Sequence, residues 1–200
     1  MVGRALDSVR DPDVSHSVWL EVDHHGEGPA AVRNRAVVDS SKHGQAPAWL
    51  AFLDDDDEFH PGHLRKCLDH AEATGADVVY PWFDLDRMGK IRNDLDPLRL
   101  HGKPVFGQPF DAEALRRGNY IPVTALVRAE LFDQVGGFPV PGTEEWPLKD
   151  GEDWGLWKRL LAAGAKFSHL PERTWIWHHH GKNTSGRPAT AAKIYPRETR

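Results

Sequence analysis

The sequence predicts an α/β domain with a mixed, mostly parallel central sheet, and three observations carry that prediction. Strand-like and helix-like periods alternate through residue 75, the order that winds right-handed βαβ units. An apolar run, Trp49 to Leu53, stops abruptly at four aspartates, Asp54 to Asp57, as a buried strand with both faces covered would. Pro61 follows, and proline suits the first turn of a helix, where its missing N–H would be unpaired anyway. The aspartates therefore stand at the carboxyl end of a strand, where open α/β sheets bind ligands.

Each element follows from its own pattern. Residues 4–10 suit a short helix with Ala5 and Leu6 inward. Residues 17–23 alternate Val18, Leu20 and Val22 against Trp19 and Glu21, the period of a strand, and end at Asp23. Pro29 opens a helix to about Ser40, with Gly28 as its cap. The strand 48–53 comes next, then a helix over 61–74 with Leu64, Cys67, Leu68 and Ala71 on one face, stopped by Gly75. Residues 77–83 read as a strand whose far end Pro81 places at an edge or bend.

From 84 to 110 the chain reads as loop, with a hairpin around Gly89. Asp111 can cap a helix through Arg117, residues 121–127 form a strand, and a helix over 129–135 is closed by Gly136-Gly137. After a Pro/Gly/Glu loop, the helix 151–163 turns Trp154, Trp157, Leu160 and Leu161 to one side and Lys158 and Arg159 outward. Short strands at 166–170 and 174–178 lead into His178-His179-His180. The expected organisation is a single domain over residues 1–185 and a C-terminal tail over 186–200.

Two hundred residues suffice for one substantial core. At 28% charged and 40% hydrophobic residues the composition is that of soluble globular proteins. The net charge of −5, with both signs interspersed, gives no clear nucleic-acid surface. No apolar stretch reaches the length of a membrane span and no secretory signal opens the chain, so a cytoplasmic location is the default expectation. A single cysteine, Cys67, excludes an intrachain disulfide.

Four adjacent carboxylates repel one another unless solvated or neutralised, and hard divalent ions favour such oxygens and bridge to phosphates. A solvated acidic turn, with Asp57 helping to cap the next helix, is the competing reading. A second acidic pair, Glu152-Asp153, opens a helix. Acids there complement the helix dipole, yet the same position aims a rigid carboxylate outward, as a general base requires. Imidazoles of the His178–His180 run alternate faces if the strand continues, so at most two address one site.

The ordered set Gly28-Pro-Ala-Ala-Val-Arg33-Asn34, Phe52-Leu-Asp-Asp-Asp-Asp-Glu-Phe-His-Pro61, Val135-Gly-Gly-Phe138, Gly151-Glu-Asp-Trp-Gly-Leu-Trp157 and His180-Gly-Lys-Asn183 resembles the family 2 glycosyltransferases, from about residue 5 to residue 185. The resemblance implies the GT-A (nucleotide-diphospho-sugar transferase-like) three-layer fold. It implies transfer of a sugar from a nucleotide-diphospho-sugar donor to an acceptor hydroxyl, with inversion, aided by Mn²⁺ or Mg²⁺. By position it assigns Asp54 and Asp56 to the D-x-D signature. Asp56 is then the principal metal ligand supported by Asp54, and Asp54 and Asp55 lie at the donor. His180 first and His178 second would serve the metal or diphosphate. Asp23, Arg33 and Asn34 fall at the nucleotide, Asp153 is the base with Glu152 beside it, and Gly136, Gly137 and Trp154 belong to the acceptor pocket.

The family's first strand, with its Pro-Thr or Pro-Ser turn, has no counterpart before residue 5, so an N-terminally truncated fold is expected. A homo-oligomer can then form across the sheet edge this leaves open. Two other readings compete: a nucleotide- or sugar-binding protein without turnover, and a metal-dependent phosphoryl-transfer or nuclease enzyme. The chain has neither a Walker-type phosphate loop nor a broad basic face, which weighs against the latter.

Overall fold

The computed structural model describes residues 2–42, 44, 46–87, 89–92, 108–147 and 151–179. Helices α1 (Val2–Ser8) and α2 (Pro29–Lys42) precede strands β1 (Trp49–Ala51) and β2 (Glu58–Phe59). Helix α3 (His63–Thr74), the hairpin of β3 (Val78–Arg87) and β4 (Lys90–Arg92), helix α4 (Ala112–Arg117), strand β5 (Leu126–Arg128), helices α5 (Ala129–Gln134) and α6 (Glu152–Ala162) and strand β6 (Phe167–His179) follow.

The strands form one sheet in the order β1-β5-β3-β6-β2, with β4 paired to β3. It is mixed, as expected, and β1, β3 and β6 share a direction. Among the described residues only β3 and β6 are parallel neighbours, because β5 returns from the second half of the chain and inserts antiparallel between β1 and β3. That insertion moves β1 to one end of the sheet path. The expected central strand is an edge among the described residues, with Ala51 exposed and Phe52 buried just beyond it.

Residues 17–23, expected as a strand, form none and pair with no described strand. Their alternation meets no second sheet element, and Val18, Trp19, Leu20 and Val22 stay 42–55% exposed. Arg35 of α2 ties them down through Glu21 at 3.2 Å and the Val22 carbonyl at 3.4 Å. In α1, Ala5 is buried as expected but Leu6 is exposed.

Pro81 does not end β3. Past Val79 the described ladder continues with β6 alone until β4 joins at Leu85, the edge position expected of a proline, and a register irregularity follows Pro81 opposite Leu170 before β3 runs on to Arg87. The two short strands expected over 166–178 are one irregular strand, β6, for the same reason. The hairpin around Gly89 and the Asp111 cap, which accepts the Ala114 N–H at 2.9 Å, match expectation. Helix α3 starts two residues after Pro61, with Gly62 at φ 76° before it.

Three layers result. Val78, Tyr80 and Val127 face α2, α4, α5 and α6, where Leu115, Phe132, Phe138, Leu156, Trp157 and Leu160 pack. Val79, Leu126 and Leu170 face α3 through Cys67 and Ala71. A smaller cluster of Phe59, Leu64 and Trp175 closes the end beside β2.

Candidate active site

The four aspartates form a tight reversal between β1 and β2, closed by the Asp57 N–H donating to the Asp54 carbonyl at 3.1 Å. Asp55 is exposed at its tip, Asp54 and Asp56 are half-buried, and Asp57 is buried. Asp57 does not cap α3: its carboxylate accepts the backbone N–H of His178 at 3.0 Å. Burial, aided by the charges of Asp54, Asp56 and Asp55, pushes its carboxyl up to about 8. Carboxylate oxygens of Asp54, Asp56 and Asp57 lie within 4.8 Å of one another. Hard oxygen donors at this spacing fit a divalent cation.

Arg33 joins this turn to the second acidic motif. It projects from α2 with its side chain only 13% exposed, beside the Phe138 ring. One guanidinium nitrogen donates to Asp54 Oδ1 at 2.5 Å and the other to Glu152 Oε1 at 2.8 Å. Burial works against its charge, but the two carboxylates outweigh that and hold the proton more firmly. Residues 119 and 21 positions apart from Arg33 thus meet on one planar cation.

Helix α6 supplies Glu152 and Asp153 from its first turn. The fully buried Trp157 donates its indole N–H to Ile121 O at 3.0 Å, and Trp154 donates to Leu115 O at 2.7 Å. Gly155 allows the helix to approach the chain at Pro139, whose Cγ would stand 2.3 Å from an added Cβ. Asp153 Oδ2 accepts from Asn119 Nδ2 at 2.8 Å and Oδ1 from the Trp154 N–H at 2.7 Å. Burial and then Glu152 push its carboxyl up to about 6, against those donors and Arg33.

The structure therefore gathers Arg33, Asp54, Asp56, Glu152 and Asp153. The remaining candidates have other partners. Asp23 accepts backbone N–H groups of His25, Glu27 and Gly28 at 2.9–3.3 Å, shaping the entry to α2. Asn34 grips Phe138 by both its N–H and its carbonyl at 2.9 Å. Gly136 and Gly137 adopt φ of 75° and 70°, and a Cβ on Gly137 would lie 2.5 Å from Asn34 Oδ1, so the turn is shaped around that grip.

Arg159, expected outward, donates to the Gly137 carbonyl at 3.0 Å. Trp154 stacks edge-on with Trp146 and lies under Lys158. The His178 ring is set between Asp86, 2.7 Å from Nδ1, and Glu58, 2.8 Å from Nε2, and its backbone N–H donates to Asp57 in the aspartate turn. His180 and the tail over 186–200 lie outside the described residues.

Sequence reasoning passed over two residues. Asp57 was legible as a fourth acid but not as the buried one. Asn119 has no motif around it, and only the packing of α4 and α6 brings it to Asp153.

Solved structures share this architecture. Crystal structures of S. aureus TarS 1-349 in complex with UDP-GlcNAc and with UDP superpose with TM-scores of 0.54 and 0.53 at 17% and 18% identity. They cover 81% and 80% of this chain and 42% and 43% of theirs. This is the GT-A fold. The family model described as Glycosyl transferase family 2 matches residues 20–136, and the chain belongs to that family. The succinoglycan biosynthesis protein ExoO of Rhizobium meliloti (strain 1021) is 24% identical over 165 residues, which are 76% of this chain and 42% of ExoO. The chain thus spans about two fifths of the relatives it matches. Among the described residues no helix is long and apolar enough to cross a membrane.

Proposed function

We propose that this domain transfers a sugar, with inversion, from a nucleotide-diphospho-sugar to an acceptor hydroxyl, and that a divalent ion at Asp54, Asp56 and Asp57 takes part. One observation carries the reading: Arg33 ties the aspartate turn to Glu152, so the residues suited to a donor diphosphate and those suited to a base share one site. Family membership and the UDP-GlcNAc and UDP held by the TarS structures support a nucleotide-sugar as the donor.

An ion bound at the turn would neutralise charge developing on the departing diphosphate. The protein's own residues do the rest. Asp153, on a helix pinned by two indoles, accepts the proton of an acceptor hydroxyl as its oxygen attacks the anomeric carbon. The bond from that carbon to the diphosphate breaks on the opposite face, and a single displacement inverts the configuration. A raised carboxyl suits this work, since a base near neutrality both stands ionised and binds a proton well. Glu152 shares the Arg33 cation with Asp54, and its charge helps raise the base.

The test is a donor panel, UDP-GlcNAc among it, with Mn²⁺ or Mg²⁺, read by release of free nucleoside diphosphate with and without candidate acceptors. Ion-dependent release that disappears in Asp153→Asn is the expected result. Saturable binding of a donor without release would replace catalysis by the binding-protein reading. Among the described residues one edge of β1 is unpaired, which supports association with a further strand as part of the same proposal, checked by light scattering.

A further inference from the structure

We propose that Asn119 is the positioning residue of the reaction: its side-chain amide holds the Asp153 carboxylate in place and in the form that accepts a proton. The inference rests on the reading of Asp153 as the base.

The orientation of Asn119 is fixed by its surroundings. Its Oδ1 accepts the Ile121 N–H at 3.1 Å, so its Nδ2 is the group that meets Asp153 Oδ2 at 2.8 Å. The segment carrying it cannot drift. Gly118 closes α4 by donating to Ala114 O at 3.0 Å. Tyr120, fully buried, donates its hydroxyl to Asp111 O at 3.0 Å and meets Tyr80 edge-on. Ile121, also fully buried, accepts the Trp157 indole N–H. Residues 119–121 and α6 are therefore tied twice, once at the base and once by the tryptophan one turn further along the helix.

The chemistry of the two partners differs in a way that suits the two acids. Glu152 receives a guanidinium and Asp153 a neutral amide. A cation paired directly to a base would hold it ionised but weaken its hold on a proton. A neutral donor orients the carboxylate and favours its charged form only modestly. Each carboxylate oxygen has two lone pairs, so the contacts from Asn119 and the Trp154 N–H leave one on each for the incoming proton. Burial and Glu152 act in the opposite direction on Asp153, and the amide limits that rise.

The experiment follows the Asp153 side-chain carboxyl by carbon NMR in protein labelled at its aspartates, with Asp153→Asn identifying the resonance. Asn119→Asp keeps an oxygen for the Ile121 N–H and replaces only the donor. It should move the Asp153 titration midpoint up by about one pH unit or more, as a like charge at hydrogen-bonding distance does. Asn119→Ala should move it up by less and cut nucleoside diphosphate release from a panel of nucleotide-sugars in Mn²⁺ by roughly 10- to 100-fold, with donor KM unchanged. A midpoint unmoved in Asn119→Asp, or a lower Tm in Asn119→Ala with the midpoint unmoved, would make Asn119 a turn residue and overturn the inference. The base reading is tested separately: full release in Asp153→Asn would overturn it, whatever the midpoints show.

Discussion

The two acidic motifs use the same residue types for opposite electrostatic ends. At the helix start each acid has its own partner, Arg33 for Glu152 and Asn119 for Asp153, and the helix is pinned by Trp154 and Trp157. At the turn, Arg33 reaches only Asp54, while the buried Asp57 has a backbone N–H from His178 and acidic neighbours. The first motif is finished within the protein. The second gathers carboxylate oxygens of Asp54, Asp56 and Asp57 within 4.8 Å of one another, the donor set that the proposed ion would meet.

The largest expected effect breaks the finished motif. Asp153→Asn should lower turnover by roughly 10²–10⁴-fold, the usual share of a positioned base, with donor binding intact. The wild-type rate should fall as pH drops below about 6, where Asp153 takes up its proton. The same raised proton affinity means that ionising Asp153 costs stability as pH rises from about 4 towards 6, and nothing below. Asp153→Asn should therefore raise Tm at pH 7.5 relative to wild type and leave the difference small at pH 3.5.

Severing the link between the motifs comes next. Arg33→Met leaves Glu152, 15% exposed, without its cation, and removing one partner of a buried pair costs about 3–5 kcal/mol. A large fall in Tm with donor binding and turnover lost together is expected. Loss of only one of the two would show that the motifs act independently.

The unfinished motif should respond to ions. Mn²⁺ at 100 times its Kd should stabilise the protein by about 2.7 kcal/mol. The gain should be greater at pH 8.5 than at pH 6, because the ion must displace the proton that Asp57 holds up to about 8. Asp56→Ala should abolish the Mn²⁺-dependent shift in Tm. A shift equal to wild type in that variant would remove Asp56 from the site. The smallest effect concerns how α6 is seated: Gly155→Ala crowds Pro139 and should cost about 1–3 kcal/mol, with part of the loss appearing in turnover as Asp153 is displaced.

Local rules made much of this legible in the sequence. The Asp111 cap, the Gly89 hairpin, the Pro29 start and the buried face of α3 are short-range chemistry, and they stand as expected. The pairing of strands was not legible. Nothing near Trp49 announces that Arg128, rather than a residue of β3, lies opposite it. The alternation at Val18–Val22 read as a strand, but the structure forms none there, because a pattern cannot supply its own neighbour. The acidic positions could be read because charge after an apolar run is conspicuous. Their partners could not, because Asn119 and Arg33 reach them only across the assembled layers.

The placement of β3 sets the order in which the molecule can be made. This strand is the middle of the sheet path, yet both strands that flank its first half, β5 and β6, lie later in the chain, with Val79 opposite Leu126 and Ser168. During synthesis β3 leaves the ribosome with one edge bare until β5 follows about fifty residues later, and the other until β6 follows almost ninety residues later. Such distant closure makes for slow folding. The nascent chain is then exposed to edge-to-edge association through Val78–Phe83 throughout that interval. A holdase or a lower synthesis temperature should therefore improve recovery of this domain more than any substitution at its surface.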